Sequence, residues 1–408
     1  MSFSQGLSGL NAASQALDVV GNNIANSQTV GFKSGTIAFA DIFAGSQVGM
    51  GVQVSSVNQN FSDGVLGEGA DSLDMGIQGN GFFRMVNDAG RVFYSRNGQL
   101  KNDENGYIIN NQGMYLTGYQ ATGMPPAIQP GAAVGPIKIP SEQMPARASD
   151  AGTISGNLDS GESIIDQNIN SFDPKNNKSY NSVSQVNAFD SLGNKHTINV
   201  YFVKTDNNAW TVYSSDTTAP NVDGSGNMLY PSSNIRFDTS GKLVTTPAKL
   251  NVLGASYNGG DALNFNLDMS NLTQQASDTA MDSPTTTGYP PGLMNGYTMG
   301  NSGQMVASYS NGQSQVLGQV VLASFTNPGG LASQGNNCWA ETSASGQPVI
   351  GVSGTGNLGD LHGNKLEASN VDLSKEMVNM IVYQRNYQSN SQTIKTQSEI
   401  LQTLVNLG

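Results

Sequence analysis

The sequence predicts a mainly β protein with α-helical termini, in which paired N- and C-terminal coiled-coil-like helices enclose two antiparallel β domains. Three observations predict this class. Apolar residues recur every seven positions at both ends of the 408-residue chain, which is the pattern of helices that pack on helices. Between the ends, short apolar runs are separated by turn residues, among them many of the 49 glycines, as in antiparallel sheets. The order helix, β, β, β, helix indicates nested, discontinuous domains.

The N-terminal helix is predicted over residues 1–28, and Gly31 is expected to stop the chain from continuing as a helix. Its two seams of heptad positions hold Phe3, Gly6, Leu10, Ala13, Leu17, Val20 and Ile24. Asp18 is the only charged side chain before Lys33, whereas an isolated helix in water normally has a charged outer face. This helix is therefore expected to need partners on more than one side.

The C-terminal helical segment is predicted over residues 366–408, with the helix starting near Asp372 or Ser374, either of which can cap it. Its heptad positions hold Leu366, Leu373, Met377, Met380, Gln384, Tyr387, Ser391, Ile394, Ser398, Leu401 and Val405. Short helices are marginal in water. We therefore expect residues 1–28 and 366–408 to form one helical assembly domain that packs within a subunit and between subunits. The alternative is an ordinary helical hairpin packed on a single core.

Residues 29–70 are predicted to be an irregular linker. An apolar cluster of Phe39, Ile42 and Phe43 stands in it among polar residues and glycines. Two interpretations remain open at this point. The cluster is either a structural plug of the linker or an apolar address that an export apparatus recognises.

An inner β domain is predicted over residues 71–145 and 290–365, with an outer β domain, residues 146–289, inserted into it. Stretches rich in proline or glycine near 121–145 and 282–291 mark the crossings. In the inner domain Asn97-Gly98 is the signal of a two-residue hairpin turn. The predicted strands there are 82–86, 91–96, 107–109, 114–116, 316–325, 339–342 and 349–350. In the outer domain they include the hairpin 184–189 and 196–204, followed by 210–213 and 235–237.

Composition limits the function classes. The net charge is −12, from 18 basic and 30 acidic residues, so binding to the phosphate backbone of a nucleic acid is not expected. There is no run of 18 apolar residues, so no membrane span is predicted. The first residues lack a basic region and an apolar region of a signal peptide, so export without a cleaved signal peptide is expected. Cys338, the single cysteine, is expected to be a small buried hydrophobe beside Trp339.

No catalytic, cofactor-binding or metal-binding residues are predicted, and the chain is not expected to be an enzyme. Gly354–Gly359 has the glycine spacing of a dinucleotide-binding loop, but no helical period follows it, so an ordinary glycine-rich loop is predicted. His196 and His362 are the only histidines, too few for a zinc site of the usual kind. His196 is expected to begin a strand and to hydrogen bond to the backbone.

Several motifs, in the right order along the chain, resemble those of the bacterial flagellar axial proteins that build the rod and the hook. Around the inner domain these are Gly79–Phe83 and Tyr94–Gly98, and towards the C-terminus they are Leu366–Leu373 and Gln384–Tyr387. Near the N-terminus Ser8–Ala13 also matches. The signature residues that the resemblance points to are Asn22, Asn23, Ile24, Ala25, Asn26, Gly31, Phe32, Lys33, Ser369, Asn370, Val371, Asp372 and Leu373.

Within this family the long insertion at 146–289 resembles that of the hook branch more than the shorter rod subunits. The resemblance implies a structural subunit that polymerises into a curved, flexible tube outside the cell envelope, couples rod to filament and transmits torque. The implied partners are further copies of the chain, the distal rod, the hook cap, the hook–filament junction proteins and the flagellar type III export apparatus. Two alternatives remain: a distal rod or junction subunit, or a secreted adhesin or enzyme with oligomerising ends.

Overall fold

The computed structural model describes residues 2–42, 49, 51–123, 126–129 and 131–407. The chain divides into two compact units. Unit 1 comprises Met1–Ser141, Gly296–Ser308 and Ser314–Gly408, and unit 2 comprises Glu142–Asn295 and Tyr309–Gln313. The predicted insertion, residues 146–289, falls inside unit 2, which extends beyond it at both ends. The terminal helices and the inner β domain belong to one unit.

The described residues form two α-helices, α1 (Ser2–Ala25) and α2 (Leu373–Leu407). The chain first forms β1 (Gly35–Asp41), β2 (Val52–Gln59), β3 (Leu66–Glu68), β4 (Met75–Gln78), β5 (Phe82–Val86), β6 (Val92–Ser95), β7 (Leu100–Asn102), β8 (Ile108–Asn110), β9 (Tyr115–Gln120) and β10 (Gly135–Pro136). Unit 2 contains β11 (Ala151–Asp159), β12 (Ser182–Phe189), β13 (Lys195–Asp206), β14 (Ala209–Asp216), β15 (Ser232–Arg236), β16 (Lys249–Leu253), β17 (Asn264–Gln275), β18 (Ala280–Met281) and β19 (Thr285–Thr286). The chain continues through β20 (Met294–Met299), β21 (Gln304–Tyr309), β22 (Ser314–Ser324), β23 (Ala332–Gly335), β24 (Cys338–Ala340), β25 (Val349–Val352), β26 (Asp360–Gly363) and β27 (Lys365–Glu367).

Both terminal helices are shorter than the predicted segments. α1 ends at Ala25, before the predicted end at residue 28. α2 begins at Leu373 because Asp372 caps it, its Oδ1 accepting the backbone N–H of Lys375 at 3.1 Å. Leu366 lies in β27, which pairs with β3. Its assignment to a helical heptad position is therefore wrong, since the sheet already uses the backbone there.

Residues 35–59 contain an antiparallel ribbon, so the prediction of an irregular linker is wrong there. β1 and β2 pair along their whole lengths, with a register shift between Ala38 and Phe39. Ile37 is paired with Val57 across the strands, and such β-branched pairs stabilise a two-stranded ribbon. The alternation in Val52–Gln59 is the signal that the linker prediction overlooked. Phe43 lies outside the described residues.

The main sheet of unit 1 runs in the order β20-β21-β22-β9-β5-β6-β24-β23. The aromatic core of this sheet is formed by residues of strands that were predicted for the inner domain. The core residues are Phe82, Tyr94, Ala323, Phe325 and Trp339. Cys338 is 4% exposed and precedes Trp339 on β24, which confirms its interpretation as a buried hydrophobe. Neither described helix offers a stretch long and apolar enough to cross a membrane.

The hairpin predicted at Asn97-Gly98 does not form. β6 ends at Ser95, and the next strand, β7, pairs with β8 instead of returning along β6. Gly98 instead allows a close backbone approach: its carbonyl accepts the N–H of Met75 at 3.0 Å, and a Cβ there would lie 1.7 Å from the Met75 carbonyl oxygen. The glycine is required by a tertiary contact rather than by a turn.

Unit 2 is built from two sheets, β12-β13-β14-β15 and β16-β17-β11-β18, with β19 also paired to β11. The predicted hairpin of β12 and β13 is confirmed. β11 and β17 pair in parallel, so this domain is not wholly antiparallel as predicted. β17 alternates buried and exposed residues, with Phe265, Leu267 and Met269 in the core. The two sheets bury one apolar core between them.

Candidate functional site

The two terminal helices pack against each other in antiparallel fashion. Gly6 of α1 lies against Ile394 of α2, and Gly9 lies against Asn390. A Cβ on Gly6 would be 3.1 Å from Ile394 Cγ1, and one on Gly9 would be 2.7 Å from Asn390 Oδ1. Glycines at these positions let the two backbones approach closely. The helix contact therefore relies on small residues rather than on two facing rows of large apolar side chains.

The predicted seam residues fall into three groups by exposure. Ala13 and Val20 are buried, at 5% and 3% exposed. The half-buried residues are Leu10, Leu17, Ile24, Met380 and Ile394. The exposed residues are Phe3, Leu373, Met377, Tyr387 and Leu401. The side chain of Val405 lies outside the described residues. A single chain thus buries the seam of small residues, and burial of the seam of large ones by other copies stays a prediction.

The β1–β2 ribbon covers a second side of α1. The side-chain amide of Asn23, 2% exposed, donates to the Gly35 carbonyl at 2.8 Å and accepts the Gly35 N–H at 2.9 Å. Further along, Ser8 Oγ accepts the N–H of Val52 at 3.2 Å. Because the ribbon covers this side of α1, that side does not face water, which explains why the helix has only one charged residue. Among the signature residues, Asn23 has a clear role: it fastens α1 to the ribbon.

The ribbon also reaches α2. Phe39 of β1 meets Tyr383 of α2 edge to face, with ring centroids 6.4 Å apart. Phe39 nevertheless remains 43% exposed, and Ile42 is half-buried. The structure thus gives Phe39 a packing partner, which fits the interpretation as a structural plug, while the interpretation as an export address is not tested.

The N-terminal half of α2 exposes a stripe of apolar side chains. Its members are Leu373, Met377, Val378, Ile381 and Val382, each between 41% and 60% exposed. Their spacing places them along one side of the helix. In the single chain these side chains remain exposed. Contiguous exposed apolar surface of this kind marks an interaction site.

Both helices are anchored in a buried polar cluster, which we call the root. It contains Gly31, Lys33, Asp63, Arg96, Glu367 and Asn370. Glu367 lies at its centre, fully buried: Oε1 accepts Lys33 Nζ at 2.6 Å and the Gly64 N–H at 2.8 Å. Its Oε2 accepts Arg96 Nη1 at 3.2 Å. One carboxylate therefore pairs with two buried cations that come from distant parts of the chain.

Arg96 extends the root into the inner sheet. Nη2 donates to the Gly79 carbonyl at 2.7 Å, and Nη1 lies 3.4 Å from Asp63 Oδ1. The guanidinium also lies over the ring of Phe82, 5.3 Å from its centroid. Its side chain is 2% exposed, whereas that of Asp63 is 40% exposed. Glu367 is therefore the one fully buried counter-ion of Arg96 among the described residues.

The backbone of the N-terminal signature fits closely into the root. Gly31 has a φ of 68°, and a Cβ there would be 2.6 Å from the backbone of Arg96, so only glycine is accommodated. Its N–H donates to the Glu367 carbonyl at 2.8 Å. Asn370 accepts the N–H of Ser34 at 2.8 Å and donates to the Asn60 carbonyl at 2.8 Å. The N- and C-terminal signatures thus meet, although they are more than 300 residues apart.

Burial and the neighbouring charge of Arg96 lower the pKa of Lys33 from its ordinary value of 10.5, while Glu367 acts in the opposite direction. The lysine ammonium gains a carboxylate and a carbonyl partner, the latter being Ser62 at 2.7 Å. These two contacts are the compensation for removing the charge from water.

The structure brings together signature residues Gly31, Lys33 and Asn370. Asp372 lies nearby as the α2 cap, and Asn23 lies on the ribbon contact. Sequence reasoning missed Arg96 and Glu367 as site residues, although both lie inside the quoted motifs Tyr94–Gly98 and Leu366–Leu373. The sequence shows that both residues are charged and lie inside a motif. It does not show that they are buried, and burial is what marks them as site residues.

Unit 2 contains a second buried polar cluster, at His196. Its Nδ1 lies 2.5 Å from Asp216 Oδ2 and its Nε2 lies 3.7 Å from Asp190 Oδ2, with all three side chains fully buried. The prediction that His196 bonds to the backbone is wrong, because the two carboxylates are nearer partners. No group of side chains in the described part of the chain is arranged to hold a metal ion.

Four domain families match the chain. They are the Flagella basal body rod protein over residues 5–33, the Flagellar hook protein FlgE/F/G D1 domain over 76–156, the Flagellar basal body protein FlaE D2 domain over 157–289 and the Flagellar basal body rod FlgEFG protein C-terminal over 363–407. The first of these covers α1 from residue 5 onward, and the last contains α2. The D2 match lies inside unit 2.

Curated relatives are similar along the whole chain. The chain is 50% identical over 410 residues to the flagellar hook protein FlgE of Salmonella typhimurium, and 49% identical over 408 residues to that of Escherichia coli, with 100% of each chain covered. It is 32% identical over 443 residues to the FlgE of Borreliella burgdorferi, covering 100% of this chain and 99% of the relative. The crystal structure of Helicobacter pylori flagellar hook protein FlgE2 matches 74% of this chain and 100% of its own, with a TM-score of 0.53 and 15% identity. That likeness supports the fold alone.

Proposed function

The chain belongs to the flagellar hook protein family, which is structural and not enzymatic, and we propose that it polymerises through its paired terminal helices into the tube of the hook. One observation carries this proposal. The stripe of apolar residues on α2 remains exposed in the single chain, and in a homopolymer the natural partner is another copy. The tube would be curved and flexible, couple rod to filament and transmit torque.

The partners and the route of export follow from the family. We infer that the finished tube contacts the distal rod at one end and hook–filament junction proteins at the other, with a hook cap during growth. The chain would travel through the flagellar type III export apparatus. These contacts involve the ends of the tube, whereas the helix pair and the root are repeated in every subunit.

Electron microscopy tests the proposal directly. Purified wild-type protein, concentrated under polymerising conditions, should form tubes in negative stain. Leu17→Asp places a charge in a half-buried position of the helical seam, which costs several kcal/mol per subunit (about 2–7), so tubes should be absent while the β signal in circular dichroism is kept. Asn251→Asp adds the same charge at an exposed position of β16 and should assemble normally. Normal tubes from Leu17→Asp would refute the seam.

We propose that the cluster Phe39, Ile42 and Phe43 is an export address, in addition to the packing role of Phe39. Substituting all three by Ser separates the two roles. If the cluster is an address, the variant accumulates in the cytoplasm, and protein purified from there still forms tubes. If it only packs against α2, as the contact of Phe39 with Tyr383 supports, secretion persists at the wild-type rate and the tubes are less stable.

A further inference from the structure

We propose that Met377 is an oxidation site that decides whether a subunit can join the tube. With its thioether intact, this residue contributes to the apolar stripe of α2, and as a sulfoxide it weakens binding through that stripe. The inference rests on the proposed function, because it assigns a modification to the surface through which copies would bind. Its basis is the position of Met377 within the stripe and the exposure of its side chain.

Met377 lies in the middle of the stripe. It is 51% exposed, and Leu373 one turn before it and Ile381 one turn after it are exposed as well. A thioether is apolar and polarisable, so it suits a hydrophobic contact. Because both of these neighbours are apolar, a polar oxygen added to Met377 would lie inside the contact area of the stripe rather than at its edge.

The chemistry requires a peroxide as the oxidant. The thioether sulfur attacks one oxygen of hydrogen peroxide and the O–O bond breaks. The sulfur gives up one electron pair and keeps that oxygen as a sulfoxide, while the other oxygen is reduced and leaves as water. The product is polar, and methionine sulfoxide reductases convert it back. Because a polar group that is buried without a hydrogen-bond partner costs free energy, an oxidised copy should bind the tube more weakly.

Other sulfur atoms of the chain are protected or lie outside the stripe. Met75 and Met85 are fully buried in the inner domain. Cys338 is buried too, and burial raises the pKa of its thiol, which disfavours the reactive thiolate. Met228 is 46% exposed but belongs to unit 2. It therefore reports the reactivity of an exposed methionine that is not part of the stripe.

The test uses full-length wild-type protein, with Met228 as the internal control. Unpolymerised protein is treated briefly with hydrogen peroxide, so that exposed methionines are oxidised in part of the molecules, and is then brought to polymerising conditions. Tubes and unassembled protein are separated by sedimentation, and peptide mass spectrometry measures the sulfoxide fraction at both residues. We expect the sulfoxide of Met377 to be at least about tenfold enriched in the unassembled protein. The sulfoxide of Met228 should be equally distributed.

Variants and a repair reaction test the same assignment. Met377→Leu keeps an apolar side chain of similar volume that cannot form a sulfoxide, so its assembly should withstand peroxide, whereas Met228→Leu should lose assembly as the wild type does. Met377→Gln places a polar amide at this position and should raise the protein concentration needed for tubes without any peroxide. Methionine sulfoxide reductases should restore the assembly of oxidised wild-type protein.

Three results would overturn this assignment. They are equal sulfoxide fractions at Met377 in tubes and in unassembled protein, loss of assembly by peroxide-treated Met377→Leu to the wild-type extent, and normal tubes from Met377→Gln. If Met377→Leu forms no tubes even without peroxide, the distribution of sulfoxide in the wild-type protein decides. Untreated wild-type protein is scored first. An absence of tubes there would overturn the polymer proposal itself, whereas tubes that form equally well before and after oxidation of Met377 would overturn the oxidation site alone.

Discussion

Unit 2 and the helix pair of unit 1 are stabilised in opposite ways. Unit 2 encloses its own core, in which Phe202, Trp210 and Leu267 are at most 1% exposed. The helix pair instead makes close contacts through glycine and alanine and leaves its large apolar side chains at the surface. Unit 2 is complete as a single chain, whereas the helix pair leaves apolar side chains exposed, which in the proposed polymer other copies would cover.

The comparison extends to buried charge. In unit 2 the charged cluster at His196 joins neighbouring segments of one domain, so it can form as soon as that domain folds. In the root, Glu367 joins the two ends of the whole chain. The same kind of interaction thus joins neighbouring segments in one region and the two ends of the chain in the other.

The largest expected effect is on unit 2 alone. Phe202→Ala removes a fully buried side chain and should lower the free energy of unfolding of unit 2 by about 3–5 kcal/mol. The two tryptophans separate the units, since Trp210 lies in unit 2 and Trp339 in unit 1. Urea unfolding is followed in a Trp339→Phe background for unit 2 and in a Trp210→Phe background for unit 1.

The unit 1 transition should not move in Phe202→Ala. Val183→Ala, on the neighbouring strand β12 and 49% exposed, is the control and should change either transition by less than about 0.5 kcal/mol. If Phe202→Ala shifts both transitions equally, the units do not unfold independently and the comparison fails.

A smaller effect is expected in the helix pair, where α1 offers two glycines in different surroundings. Leucine is a better helix former than glycine by roughly 0.8 kcal/mol at either position. Gly6→Leu would also force a side chain against Ile394, and overpacking costs about 1–3 kcal/mol, whereas no atom lies within 4 Å of a Cβ at Gly21. We expect Gly6→Leu to raise the protein concentration needed for tubes and Gly21→Leu to increase the helical signal of the monomer.

Weaker assembly of Gly6→Leu, together with a larger helical signal in Gly21→Leu, would support the view that the two helices contact each other through small residues. If both variants block tubes equally, another copy packs on the Gly21 side of α1 as well. If neither does, the contact of Gly6 with Ile394 is not required in the polymer.

The sequence predicted the parts of the fold that depend on local pattern. The heptad pattern predicted both helices, and the alternation of apolar residues on either side of the Asp190 turn predicted β12 and β13. The ribbon and β17 were missed because the alternation in Val52–Gln59 and Asn264–Gln275 involves few apolar residues and is interrupted by polar ones. Local pattern also predicted a turn at Asn97-Gly98, where a distant contact with Met75 determines the backbone instead.

The site was less predictable than the fold for a physical reason. The seam residues follow from helical spacing, but which seam a single chain buries depends on the partner helix and the ribbon. Arg96 and Glu367 meet only in the folded chain, and no spacing rule connects positions so far apart. The motifs that resemble the flagellar family contained both residues without indicating that they touch.

The smallest expected effect concerns acid stability of unit 2. Burial favours the neutral form of Asp190, but hydrogen bonds from Asn194 and Leu192, aided by the charge of His196, prevail and lower its pKa from the ordinary 3.8. A carboxyl group whose pKa is lower in the folded state stabilises that state above its unfolded pKa. This contribution is therefore present above pH 3.8 and is lost as the pH falls further, through the folded pKa.

Asp190→Asn should lower the free energy of unfolding of unit 2 at pH 7 by about 1 kcal/mol, with the difference from the wild type shrinking as the pH falls below 3.8. Asp223 is the matched control, because it caps the same kind of five-residue turn, bonding to Asn227 as Asp190 bonds to Asn194, but without a histidine partner among the described residues. Asp223→Asn should cost less at every pH. Equal losses of unfolding free energy in the two variants would show that the turn alone accounts for the effect. The buried cluster at His196 would then add nothing to the stability of unit 2.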